Sequence, residues 1–264
     1  MKKKKIVAAV VLFLCIASGL SAQDRPEVAN GGTAADGLQI PFVDLTVRQP
    51  ENNNEVALSI QLILLLAVLT LAPSIILLTT SFLRIAVVFD FVKRSLSLQQ
   101  VPPTQVMMGV ALFLTLFIMW PTLSDIYENA FKPFTDGQIN TEQMYDAAVG
   151  PLRLFMYKQL NGHHETIGLF MRMRGLPQPE NFSQVPTYVL IPAYVLNELT
   201  IAFKIGILLY IPFICIDMVV ASTLMSMGMI MLPPIMISLP FKLILFVLVD
   251  GWGLITQQII LSFK

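Results

Sequence analysis

Charge is what this chain has least of. Asp, Glu, Lys and Arg make up 13% of its 264 residues, where a soluble globular domain carries about 25%. That share cannot keep long apolar runs in water. A soluble globule is therefore excluded, and an integral membrane protein or a subunit of a membrane-associated assembly is implied. The 17 basic and 17 acidic residues cancel, so nothing attracts a polyanion and no nucleic-acid partner is expected. Cysteine occurs twice, at Cys15 and Cys215, too sparsely for a disulfide framework or a zinc site. The residues before Cys15, "LFL", also lack the small residue of a lipoprotein site. The two histidines open "HHETIGLF" at 163–170, but a zinc-protease helix needs a second histidine where Gly168 stands. His163 and His164 therefore read as surface residues. There is no phosphate-binding G-x-x-x-x-G-K-[ST] run and no suggestion of a Ser or Cys triad. No catalytic residue, metal or cofactor is expected, and the energy for any transport must come from elsewhere.

What the chain has is apolar length: 55% hydrophobic residues and a mean hydropathy of +0.72. The N-terminus, "MKKKKIVAAVVLFLCIASGLSAQD", places lysines before an apolar stretch of about fifteen residues and then small residues, the layout of a secretory signal peptide. Residues 1–22 are assigned to it, with cleavage after Ser21 or Ala22; the alternative is an uncleaved first span. Residues 23–55 are polar and rich in Gly, Pro and Asn, a flexible arm. Val56–Thr80 is long enough to cross a hydrocarbon core, with a kink expected at Pro73. Arg84, Lys93 and Arg94 then mark a cytoplasmic end. Pro102 and Pro103 stop any helix there, and Val106–Trp120 returns outward, so 56–120 reads as a first helical hairpin.

Residues 121–187 are the most soluble part. Met144, Ala148, Leu152, Phe155, Met156 and Leu160 recur at helical spacing, with Thr141 as the expected N-cap. This section reads as a small helical domain outside the membrane. From Tyr188 to Ser222, and again from Thr223 to Phe263, the chain is apolar, with breaks expected at Pro233, Pro234 and Pro240. Residues 188–264 read as a second hairpin. The two halves echo each other loosely, too weakly for an inverted repeat.

Five charges interrupt these last runs: Glu198, Lys204, Asp217, Lys242 and Asp250. A charge at the centre of an inserting helix costs roughly 2.5–3.5 kcal/mol, whereas each good apolar residue returns only about 0.3–0.6. Glu198 and Lys204 fall on nearly opposite helix faces, and Lys242 and Asp250 are more than two turns apart. Pairing between helices or between subunits is the economical reading; snorkelling at an interface is the alternative.

Three stretches, "SFLRIAVVFDFVKRSLSLQQVPPTQVMMGVALFLTLFIM", "IPAYVLNELTIAFKIG" and "LPFKLILFVLVDGW", closely resemble the FliP family of the flagellar type III export gate. With the connections between them the resemblance covers residues 56–264. Virulence-secretion relatives are similar through the same stretches but typically lack the cleavable signal and the long arm, which favours the flagellar branch. The resemblance implies an all-α fold of membrane-associated helical hairpins with a small helical extracytoplasmic domain, assembled into a ring-like export gate in the bacterial inner membrane. It implies a homopentamer, FliQ-like and FliR-like partners, other flagellar export and basal-body proteins, contact with lipid, and unfolded protein as substrate. It also implies that the charges lie at helix contacts inside the assembly, and that the family's energy comes from the proton motive force and an associated ATPase.

The segment "TLMSMGMIMLPPIMI" is dense in methionine. The resemblance makes this the pore gasket, formed by Met227, Met229, Ile230 and Met231. Relatives often carry an unbroken methionine run where Ile230 stands. Gly228, Pro233 and Pro234 would let the segment bend, as Pro102 and Pro103 would in the first hairpin. Methionine is unbranched and adaptable. A ring of such side chains could exclude water and ions and still part around a polypeptide. Two alternatives stay open: methionine as plain helix filling, and a copper(I) transporter using the M-x-M spacing.

Overall fold

The computed structural model describes residues 53–98, 101–160, 164–228 and 233–263. The signal segment and the arm up to residue 52 lie outside the described residues. The chain divides into two units, Met1–Val56 and Ala57–Lys264. The second holds both buried clusters and every ion pair among the described residues. There, every regular element is helical: α1 (Asn53–Leu78), α2 (Phe82–Ser95), α3 (Thr104–Ile126), α4 (Thr141–Gln159), α5 (His164–Met173), α6 (Thr187–Ser226), α7 (Pro234–Leu248) and α8 (Gly251–Leu261). Three stretches, Ser59–Leu78, Thr104–Thr135 and Thr187–Ser226, are long and apolar enough to cross a membrane; α7 and α8 together form a fourth, bent by 64°.

The short helix α2 is the hub. Ile85, Val88, Phe89 and Val92 recur at the three-and-four spacing that gathers apolar side chains on one helix face, and all are buried. Around them pack Met107 and Ala111 of α3, Ala202 and Phe213 of α6, Phe246 of α7, and Ile255 and Ile259 of α8. Trp252 closes the cluster edge-on to Phe89 and Phe246, with ring centroids 6.5 and 5.2 Å away. Helices α2 and α6 touch at Gly206, where an added Cβ would lie 2.4 Å from the Phe91 ring. A ring carbon so close to its own backbone cannot swing away cheaply. Gly206→Val is therefore expected to destabilise the protein by about 1–3 kcal/mol through overpacking, read as a lowered unfolding temperature of the detergent-solubilised chain.

A second buried cluster joins α4 and α5 to the start of α6. Met156 and Leu160 of α4, Ile167 and Met171 of α5, and Val185 pack against Val189, Leu190, Ala193 and Tyr194 on the first turns of α6. The 40 residues of α6 extend about 60 Å at 1.5 Å per residue, twice a hydrocarbon core of about 30 Å. One unbroken helix thus runs from the second cluster to the Met225–Met227 end of the hairpin. By contrast, α1 carries no charge between Ser59 and Leu78 and is exposed along that span. A helix apolar all round needs lipid or protein on every side.

Several details differ from the sequence expectations. The α4 N-cap is Asn140, not Thr141: its side chain accepts from the Gln143 amide while Gln143 reaches back to the Asn140 N–H, a reciprocal capping box. The second apolar run does not end at Trp120. The helix passes Pro121 and continues through a π-helical turn, Tyr127–Phe131, to Thr135. Pro240 does not break the last run either, since it lies inside α7. The break falls at Asp250, whose φ of 50° ends the helix. Aspartate tolerates that left-handed geometry better than the apolar residues around it, and Gly251 lets the Phe246 ring lie against the backbone. Finally, Arg84 is not a solvent-facing charge marking a cytoplasmic end: it is wholly buried.

Candidate functional site

The hairpin of α6 and α7 carries the residues to which sequence reasoning assigned function. Its register is fixed by two contacts. Asp217 meets Lys242, and Phe213 meets Phe246 with ring centroids 6.5 Å apart. Both pairs are equally distant in sequence from positions 229 and 230. The α6 end of the hairpin presents Met225 and Met227, 69% and 72% exposed. Two backbone bonds tighten this end, from the Met227 amide to the Thr223 carbonyl and from the Gly228 amide to the Met225 carbonyl. Gly228 has φ +75°, a left-handed conformation that glycine adopts without the cost a Cβ brings. On the other side Pro233 is extended and Pro234 begins α7, the helix position where a missing amide costs nothing. Met229, Ile230 and Met231 lie outside the described residues.

Ten residues from Met227, about 15 Å along the helix, an ion pair clamps the hairpin. Lys242 Nζ donates to Asp217 Oδ2 at 2.7 Å, to Ser97 Oγ at 3.0 Å and to the Ser95 carbonyl at 3.2 Å. Ser238 donates its hydroxyl to the other Asp217 oxygen at 2.5 Å. The ammonium is 1% exposed and its three donors are used, so burial leaves it no unmet bond. Asp217 retains 29% exposure. The clamp joins α6 and α7 to the end of α2.

A second polar centre ties the hub to α4. Arg84 on α2 grips Glu198 on α6 with two parallel bonds, Nε to Oε2 at 2.8 Å and Nη2 to Oε1 at 2.5 Å. Neither side chain is exposed. Its remaining donors reach the Ser262 carbonyl, the Ser262 hydroxyl and the side-chain oxygen of Gln159. The guanidinium lies 3.8 Å from the centre of the Phe263 ring. Gln159 also donates to the Phe263 carbonyl and accepts from Asn197 through its own carbonyl. Tyr194 donates to the Thr80 carbonyl at 2.8 Å. Helices α2, α4, α6 and the segment after α8 therefore share one network.

Of the predicted charges, Glu198, Asp217 and Lys242 enter these two centres. Lys204 and Asp250 are exposed and form no ion pair among the described residues. Pro103 supplies the carbonyl that starts α3, and Pro102 precedes it in the connection from α2. Sequence reasoning missed Arg84, Ser95, Ser97, Ser238, Gln159 and Ser262 as parts of the site. Arg84 carried a usable signal, because it sits at the fourth residue of an apolar stretch whose buried face it shares. The serines carried none, since one hydroxyl in a helix is common and its partner lies far away in sequence.

Comparison with known proteins agrees with this architecture. The FliP family model matches residues 65–259. The chain is 60% identical to the flagellar biosynthetic protein FliP of Treponema pallidum over 92% of each chain, and 54% identical to that of Treponema denticola over the full length of both. With the Bacillus subtilis protein of the same name the identity is 48%, over 81% of this chain and 95% of the other. Nothing in these relatives' names supports the copper(I) reading. A match running from α1 into α8, together with identity of this extent, establishes that the chain belongs to the FliP family.

Proposed function

We propose that this chain is a pore-forming core subunit of the flagellar type III protein export gate, a multi-pass protein of the bacterial inner membrane that conducts unfolded flagellar proteins outward. Copies assemble as a homopentamer with FliQ-like and FliR-like subunits and work with other flagellar export and basal-body proteins. The role is conduction, not catalysis.

What supports this reading is the hairpin end. Met225 and Met227 stand exposed beside a left-handed glycine, at the end of a helix too long for a simple span. Large apolar side chains at such a place need partners. Copies brought together around an axis would supply them, with Met227, Met229, Ile230 and Met231 as the seal and Gly228, Pro233 and Pro234 as its bend. A soft apolar constriction excludes water and ions while it is closed and adapts to cargo of varied sequence.

The test is the Met229→Ala, Met231→Ala double variant. It is expected to assemble at normal levels and to make cells leak ions, measured as membrane conductance or as salt-sensitive growth. Unchanged conductance in an assembled variant overturns the gasket assignment.

A further inference from the structure

The charges of the apolar core can be accounted for one by one. The described residues of α2, α6, α7 and α8, with the break between the last two, carry Arg84, Asp90, Lys93, Arg94, Glu198, Lys204, Asp217, Lys242 and Asp250. Arg84 pairs with Glu198, Lys242 with Asp217 and Arg94 with Asp90, while Lys93 donates to Thr104. Two cations, Lys93 and Lys204, and one anion, Asp250, are left without an ion pair among the described residues, and with Lys93 held by Thr104 the leftover charges are Lys204 and Asp250. Both are exposed, and the side chain of neither is bonded among the described residues. Lys204 stands on a surface with Phe203, Ile207 and Leu208, all at least half exposed, and Asp250 follows Val247 and Leu248, more than 70% exposed. Lys204 also lies near the middle of a 40-residue helix, about 30 Å from either end. A lone charge on such an apolar face requires a partner.

From these observations we infer that Lys204 of one copy pairs with Asp250 of the next, and that the apolar surfaces around them form the copy-to-copy contact. The occupant is a second copy of this chain, because the two leftover charges are opposite in sign and lie within reach of one another along the helix axis. The hairpin register that sets 217 against 242 and 213 against 246 carries Asp250 to the level of Leu209. Lys204 is five residues further on, about 7.5 Å, an offset that an extended lysine side chain largely spans. Two different patches that complement each other make a head-to-tail contact, which builds a ring where the rotation between copies closes and a helical array where it does not. The inference rests on the homo-oligomeric reading proposed above and specifies the surface that builds it.

The experiment uses the full-length chain, solubilised from membranes in mild detergent and weighed by native mass measurement. Lys204→Asp and Asp250→Lys are each expected to lower oligomer yield about tenfold, because like charges then face one another; the double swap K204D/D250K is expected to restore it. To separate assembly from folding, two differently tagged copies are co-expressed with Cys15 and Cys215 replaced by serine, one carrying Lys204→Cys and the other Asp250→Cys. A short bismaleimide should join the two tags. Single reversals that assemble like the parent, a double swap as poor as the singles, or an assembled oligomer that does not cross-link would each overturn the pairing alone. A parent chain that runs only as a monomer would overturn the homo-oligomeric reading, and the pairing with it.

Discussion

Arg84→Met is expected to be the most damaging single change in this protein, with a loss of about 3–5 kcal/mol, the range found when one partner of a buried ion pair is removed. The substitution strands the Glu198 carboxylate, which is fully buried and forms no other ion pair among the described residues. It also removes the donors to the Ser262 carbonyl and to Gln159, so the segment after α8 loses its anchor. Glu198→Gln should cost less. The guanidinium would keep Ser262, Gln159 and the Phe263 ring, and glutamine still offers an oxygen. Arg84→Lys should not rescue, because an ammonium cannot reproduce two parallel bonds to one carboxylate. The double replacement Arg84→Met, Glu198→Leu should recover part of the loss, since no unpaired charge stays behind. Thermal unfolding in detergent checks the series, with a shift on the order of 10 °C expected for Arg84→Met. An Arg84→Met protein that melts with the parent would show that the pair is dispensable.

The second large effect is expected at the hairpin clamp, and it should be lopsided. Asp217→Ala leaves the Lys242 ammonium, 1% exposed, with only the Ser95 carbonyl and the Ser97 hydroxyl. Lys242→Met instead leaves Asp217, which is 29% exposed and keeps the Ser238 hydroxyl, so water can solvate it. Loss of Asp217 should therefore cost more than loss of Lys242, about 3 kcal/mol against about 1–2 kcal/mol. Lys242→Met cuts the bonds that tie the hairpin to the end of α2, whereas Asp217→Ala releases α6 from Lys242 and leaves α7 tied to α2; both changes lie about 15 Å from the hairpin end. Swimming on soft agar should fall in both, and unfolding temperatures should rank parent above Lys242→Met above Asp217→Ala. The reverse order would mean that the ammonium, not the carboxylate, supports the clamp.

Much of this architecture was legible because apolar periodicity reports the faces that pack. The α2 stripe of Ile85, Val88, Phe89 and Val92 and the α4 series ending in Met156 and Leu160 are both readable from spacing. The charges were conspicuous for the same reason, as costly residues inside apolar runs. Their partners were harder to find. Arg84 and Glu198 are 114 positions apart, and no local rule links them. Asp217 and Lys242 were closer to legible, since a hairpin folded about the methionine segment brings residues at equal distances from it together. Proline misled in both directions. Pro121 and Pro240 both lie within helices, where neighbouring packing outweighs one missing amide, whereas the break at Asp250 involves no proline.

The Arg84–Glu198 contact also sets a schedule for biosynthesis. The ribosome makes Arg84 114 residues before Glu198, an interval of roughly 6–23 s at about 5–20 residues per second. Throughout that interval the newborn α2 holds a cation with nothing to neutralise it, so it cannot settle into lipid on its own. It has to wait at the water boundary or against another protein until α6 emerges, and the hub forms only then.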